Sequence, residues 1–292
     1  MDQSHDAEEE IFYPGIFQAI GLLMLLLFLL IGLGAIIDNL GFFQEESLII
    51  SVGNSIAFAI ILAWGAKKSR APFREIFSMK AFRARLLIPM GLIVLGISIV
   101  GSELDNVFRA ILPPPDWLSD IFLRLAGHDT NPWGSILALV IVAPMTEELL
   151  FRGLFLRGFL GRYAPHKAIL GSAMLFGLFH LNPWQFVHTT AIGILLGWWF
   201  FKTRSLIPCI FGHALNNSLL FIYRDMFNLH ISGYTAGMGQ EVQFQPLWLD
   251  AVGLVLLICG IWLLIFLLQR AGESGSQKQS SENAESHPEA AC

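Results

Sequence analysis

A chain of 292 residues with 54% hydrophobic and only 14% charged side chains has too little polar surface for a soluble globule, and its mean hydropathy of +0.61 is that of a polytopic helical membrane protein. The formal charge of −5 comes largely from an acidic opening segment, so it says little about partners and gives no ground for a nucleic-acid ligand. Cys209, Cys259 and Cys292 have no paired spacing, which excludes a disulfide framework or a thiolate metal site.

Residues 1–13 form an acidic segment without the basic start or small-residue cleavage site of a signal peptide, so the apolar run that follows is expected as a retained helix. Predominantly apolar runs lie near 15–37, 47–66, 86–101, 134–156, 168–181, 186–201, 206–223 and 247–268. They predict an all-α fold with about eight transmembrane helices inside residues 14–270. The runs near 86, 168 and 186 are short for a crossing of roughly 20 residues, which leaves seven spans or a re-entrant segment open. Residues 67–85 mix seven Lys and Arg with Phe73, Ile76, Phe77 and Phe82, as either an amphipathic surface segment or an ordinary basic loop would.

Residues 38–46 and 225–246 carry no Lys or Arg. With eight spans, Arg157, Arg162, Lys167, Lys202 and Arg204 fall on the side of the basic 67–85 loop, which the positive-inside rule makes cytoplasmic together with both termini. Residues 102–133 form the longest outer connection, where Pro113-Pro114-Pro115 predicts a rigid turn and then a short interfacial helix, with Trp117 and Trp133 at headgroup level. The Ser-, Glu-, Gln- and Ala-rich residues 271–292 are expected as a disordered tail. No internal repeat supports an inverted-repeat transporter.

The fourth run contains Glu147-Glu148-Leu149-Leu150-Phe151-Arg152. Three unpaired charges at mid-bilayer would cost about 8–10 kcal/mol, whereas the apolar residues around them return only about 4–7 kcal/mol on the insertion scale. This helix must therefore turn its charges into a protein bundle or a water-filled cavity, and such residues mark a functional site by default. Glu148 and Arg152, four apart, share a face; Glu147 is offset by about 100° and is left free of the arginine.

Two further blocks carry chemistry. Phe176 and His180 stack four apart in the fifth run, and His213 and Asn217 do so in the seventh. At 1.5 Å per residue, Glu147, His180 and His213 lie about 15, 20 and 10 Å from Arg157, Lys167 and Leu206, so the three can meet near mid-membrane if helices tilt or break. A buried carboxylate beside a histidine can take a proton from water and return it to a leaving amine. His213 and Asn217 are then free to donate to an oxyanion. The rival is zinc, for which Glu147, His180 and His213 form an acceptable three-ligand set. No HExxH is present and the ligands would come from three helices, which favours the metal-free account without a cofactor.

EELLFR, FGLFH and HALNN resemble, in order and spacing, the EExxxR, FxxxH and HxxxN/D motifs of the CPBP family, the CAAX proteases and bacteriocin-processing (Abi) enzymes of the type II CAAX prenyl protease kind. The resemblance covers about residues 134–224. It implies an intramembrane endopeptidase in which Glu147 and His180 activate water, His213 and Asn217 stabilise the oxyanion, and Glu148, Arg152 and Phe176 support the site. It also implies an integral multi-pass protein of a bacterial inner membrane, acting on membrane-embedded or membrane-proximal peptides. His188 has no place in the pattern and is expected to pack helices or face the interface. A non-catalytic immunity or scaffold protein and a proton-coupled transporter stand as alternatives.

Overall fold

The computed structural model describes residues 12–41, 43, 46–115, 132–223, 227–235 and 241–286. The interfacial helix expected after Pro115 falls outside the described residues, as do 1–11 and 287–292 of the two terminal segments.

Nine helices follow one another among the described residues, and no strand occurs there. Helix α1, Ile16–Leu40, begins where the Gln18 side chain accepts from the Gly15 N–H at 2.8 Å and ends at Gly41. A left-handed φ of 66° there turns the chain, as a glycine can without strain. α2 is Glu46–Ser69, with Lys67 and Lys68 facing the negative end of the helix dipole. α3 is the short Phe73–Ile76, and α4 is Leu87–Ile111, entered through a single 3₁₀ turn at Ala84–Leu86.

α5 runs over 132–160 without a break in direction but with its hydrogen-bond ladder widened twice, to π geometry at Leu137–Val142 and again at Leu149–Leu156. α6 is Pro165–Phe179, α7 is Phe186–Thr203, α8 is Ile207–Phe221 and α9 is Leu247–Ser286. Prolines in the first turn of α6 and α8 start those helices without wasting a donor.

The eight longer helices stand at the eight expected runs. Among the described residues, four helical stretches are by length and composition alone apolar enough to cross a membrane: Ile16–Leu40, Leu48–Ser69, Ala84–Ile111 and Leu247–Arg270. α6 and α8 have 15 residues each; at about 1.5 Å per residue they reach roughly 22 Å, short of a hydrocarbon core of about 30 Å. The C-terminal segment differs from expectation, because α9 continues to Ser286.

The short helix α3 decides the reading of the basic loop. Ile76 and Phe77 are buried and Phe73 is exposed, so an amphipathic segment docks its apolar side on the protein. It lies against α5, where Gly153 has no side chain: a Cβ there would come within 2.9 Å of the Ile76 carbonyl. Glu75 pairs with Arg157 at 2.7 Å.

The basic segments gather at one end of the bundle. Ser78 donates to the Arg204 carbonyl at 2.8 Å, Ser205 to the Lys80 carbonyl at 2.7 Å, and Arg162 to the carbonyl of Phe12. At the opposite end, Asn106 donates to the Gly233 carbonyl at 2.7 Å and the Gln245 N–H to Glu103 at 3.0 Å. The core lies between these ends and is centred on α5, whose second π segment is buried from Leu150 to Leu156. α4 and α9 pack closely, with the Gly96 Cα facing the backbone of Leu257.

Candidate active site

Glu147 and Glu148 close the α-helical stretch of α5 between its two π segments, a place where helices commonly re-aim side chains at functional sites. Arg152 and Glu148 are fully buried and paired, Nη1 to Oε1 at 2.6 Å. The guanidinium is further held by the Gly193 carbonyl on α7, 3.1 Å from Nη2, and lies 4.6 Å over the Phe176 ring of α6. A charge taken out of water needs this many partners, since attraction to one carboxylate rarely offsets desolvation.

His213 reaches both carboxylates from α8. Its Nδ1 stands 2.8 Å from Glu148 Oε1 and its Nε2 3.9 Å from Glu147 Oε2. The same Glu148 oxygen already accepts from Arg152, so Nδ1 carries the hydrogen and donates to it. Glu148 thereby orients the His213 ring, a link the spacing of two separate motifs could not reveal. Glu147 is buried, and its Oε2 accepts no hydrogen bond from the described residues, so it is the free carboxylate that the 100° offset predicts.

Phe176 is the ring on which the parts converge. His180 packs edge-on to it at 4.9 Å, His213 at 5.5 Å and Phe151 at 5.1 Å. His180 sits at the C-terminal end of α6 with Nδ1 2.9 Å from the Phe176 carbonyl. A carbonyl only accepts, so the proton is on Nδ1 and Nε2 is left with a lone pair.

The structure thus brings Glu147, Glu148, Arg152, Phe176, His180 and His213 together, with one difference in how they pair. His213 is the histidine beside the glutamates, while among the described residues no ion pair or hydrogen bond joins His180 to Glu147; His180 joins the group across Phe176.

Asn217 donates from Nδ2 to the Leu139 carbonyl at 2.9 Å and accepts from Asn216 at 3.3 Å. Its second N–H is left over. The acceptor carbonyls of Leu139, in the first π segment, and Gly193 escaped the sequence reading because a backbone oxygen has no residue-type signature. His188 packs helices, as expected: a Cβ on Gly101 of α4 would lie 1.6 Å from its Nδ1.

Residues 129–219, which contain every residue of this constellation, match the family model of the type II CAAX prenyl endopeptidases, Rce1-like. A curated relative, UPF0177 protein YbdI of Lactococcus lactis subsp. lactis (strain IL1403), is 25% identical over 158 residues, covering 52% of this chain and 82% of that protein. No solved structure matches the chain. The Rce1-like segment begins ahead of α5 and ends within α8, so it comprises the four inner helices and leaves α1, α2, α4 and α9 outside.

Proposed function

We propose that this protein is an intramembrane endopeptidase of the CAAX-protease type that uses water activated in the bundle interior. One observation carries the reading: Glu148, Arg152 and His213 form a closed ion-pair network, while Glu147 beside it keeps an unbonded carboxylate oxygen. With His213 as an imidazolium, the two carboxylates and two cations sum to zero, the arrangement of least desolvation cost in a membrane. The 3.9 Å between His213 Nε2 and Glu147 Oε2 is too long for a direct hydrogen bond and suits a bridging water.

In this mechanism Glu147 removes a proton from that water as it attacks the scissile carbonyl, with the His180 Nε2 lone pair as the second proton carrier. The His213 Nε2–H and the spare Asn217 N–H donate to the oxyanion, and the proton held on Glu147 passes to the leaving amine. We assign the reaction to these side chains without a metal. Among the described residues no group of three or more His, Cys, Asp or Glu is placed to hold an ion, and His213 Nδ1 is taken by Glu148. The positive-inside rule supports a cytoplasmic position for the basic end, in a bacterial inner membrane, with membrane-embedded or membrane-proximal peptides as substrates. Labelling of Ser69→Cys from the outside would reverse that orientation.

The test is cleavage of membrane peptides by purified protein in liposomes. Glu147→Gln removes the base without changing shape and should lower turnover by about 100–10,000-fold with insertion intact. Full turnover by that variant would end the glutamate mechanism. Activity that disappears on chelation and returns with zinc would overturn the metal-free assignment alone.

A further inference from the structure

A cavity of about 160 Å³ lies beside the constellation, lined by Ser98, Asp105, His188, Asn216, Tyr223 and Tyr234 among others. It abuts the catalytic group through Asn216, whose Nδ2 bonds to Asn217. Tyr234 brings the 227–235 segment to its wall. Hydrogen bonds from Ser102 at 3.2 Å and Asn106 at 2.7 Å to the Gly233 carbonyl hold that segment, together with the contact of Ser98 and Tyr234 at 3.2 Å.

The lining asks for donors. Asp105 Oδ1 and Asn216 Oδ1 are buried acceptors without a hydrogen bond from the described residues. His188 Nδ1 is equally buried; it lies near Asn216 but forms no bond of ordinary geometry. Of the other acids at this end, Glu103 accepts from Asn106 and from the Gln245 N–H, both at 3.0 Å, while Asp250 Oδ1 on α9 is also buried without a hydrogen bond from the described residues. Arg109, one turn along α4, attracts Asp105, yet Oδ1 accepts nothing from it. An uncharged donor would satisfy Asn216, and the Asp105 oxygen left without a hydrogen bond beside Arg109 can accept a charged donor as well. The tyrosine rings, 5.5 Å apart, offer π faces that attract the same charge. A cavity of roughly 150 Å³ accommodates a benzene-sized guest, enough for the end of one long side chain.

We propose that this cavity is a subsite for an ammonium or guanidinium group, carried by a Lys or Arg close to the bond that is cut. The proposal rests on the peptidase reading for its biological meaning. The Asp105 carboxylate binds the cation, Asn216 and the tyrosines complete its hydrogen-bond and π shell, and Asn216 couples its occupancy to Asn217.

The experiment profiles cleavage of a mixed peptide library by the full-length protein in liposomes, with Glu147→Gln as the blank. Lys or Arg should be enriched at one fixed position from the cut. Asp105→Asn should reduce the kcat/KM ratio of a Lys peptide over its Leu analogue by about 30-fold, as truncating one partner of a buried charge pair does. Ser102→Leu, at another lining residue, fills the cavity while leaving the carboxylate in place and Gly233 still held by Asn106; it should erase the same preference and stands in if Asp105→Asn does not fold. Cuts with no basic preference, or a preference that survives both variants, overturn the subsite while leaving the peptidase. If the wild type cuts nothing, the peptidase reading fails, and thermal stabilisation by agmatine decides the subsite. Stabilisation lost in Asp105→Asn upholds a cation site, and none in the wild type overturns it.

Discussion

Helices α5 and α9 are both built largely of apolar residues, and they occupy opposite situations. The most apolar 18-residue window of α9, within Leu247–Arg270, has a mean hydropathy of 3.0 with only 17% of it buried in the protein, and Leu254, Ile258 and Trp262 are exposed on its surface. α5 carries Glu147, Glu148 and Arg152, yet its second π segment is buried from Leu150 to Leu156. Hydropathy therefore reports which helix faces lipid, not which forms the core. Lipid is as good a solvent for leucine as the protein is, so burial in a membrane bundle is reserved for helices with polar groups to satisfy or close packing to make.

Substitutions that exploit this contrast should differ in size by an order of magnitude. Arg152→Ala leaves Glu148 buried without its cation and should destabilise the fold by about 3–5 kcal/mol, read as a fall in the midpoint of thermal unfolding in detergent. A variant as stable as the wild type would mean that the pair contributes nothing on balance. Asn217→Ala, on the helix facing α5, should lower kcat by about 100–1,000-fold with little change in KM, as loss of one oxyanion donor does. A change confined to KM would move Asn217 from the oxyanion to substrate binding. Ile258→Ala on the outer face of α9 should alter stability by less than about 0.5 kcal/mol, because the side chain is 65% exposed and meets lipid in either state. A large loss there would reveal a partner on that face and break the comparison at its other end.

A second pair of contacts teaches the same lesson on one helix. Arg157 pairs with Glu75 at 2.7 Å, much like Arg152 with Glu148 at 2.6 Å. The first pair is partly exposed, at 27% and 60%, and the second is not. Water screens the first to a contribution of roughly 0–1 kcal/mol, so only the second bears on the site.

Much of the site was legible along the chain, because a charge inside an apolar run has few places to go and i, i+4 spacing puts two side chains on one face. That is how Glu148 met Arg152 and how Glu147 was left over. The pairing of His213 with Glu148 was not legible, since it joins residues 65 positions apart on helices whose rotation depends on packing. The two π segments were hidden as well: they alter the backbone ladder of α5 without a distinctive residue type, and they change which way each side chain after them points.

By itself the sequence determined that the protein is helical, that it belongs in a membrane, where its helices lie, and which polar residues must find one another. All of these follow from the cost of placing a peptide group or a charge in hydrocarbon, a local property of each segment. Only the tertiary structure decided which helices form the interior, that Phe176 is the ring on which His180, His213 and Arg152 converge, and that backbone carbonyls of Leu139 and Gly193 complete the network. Those depend on the rotation and depth of each helix, which the summed packing of all the others sets and no single segment encodes.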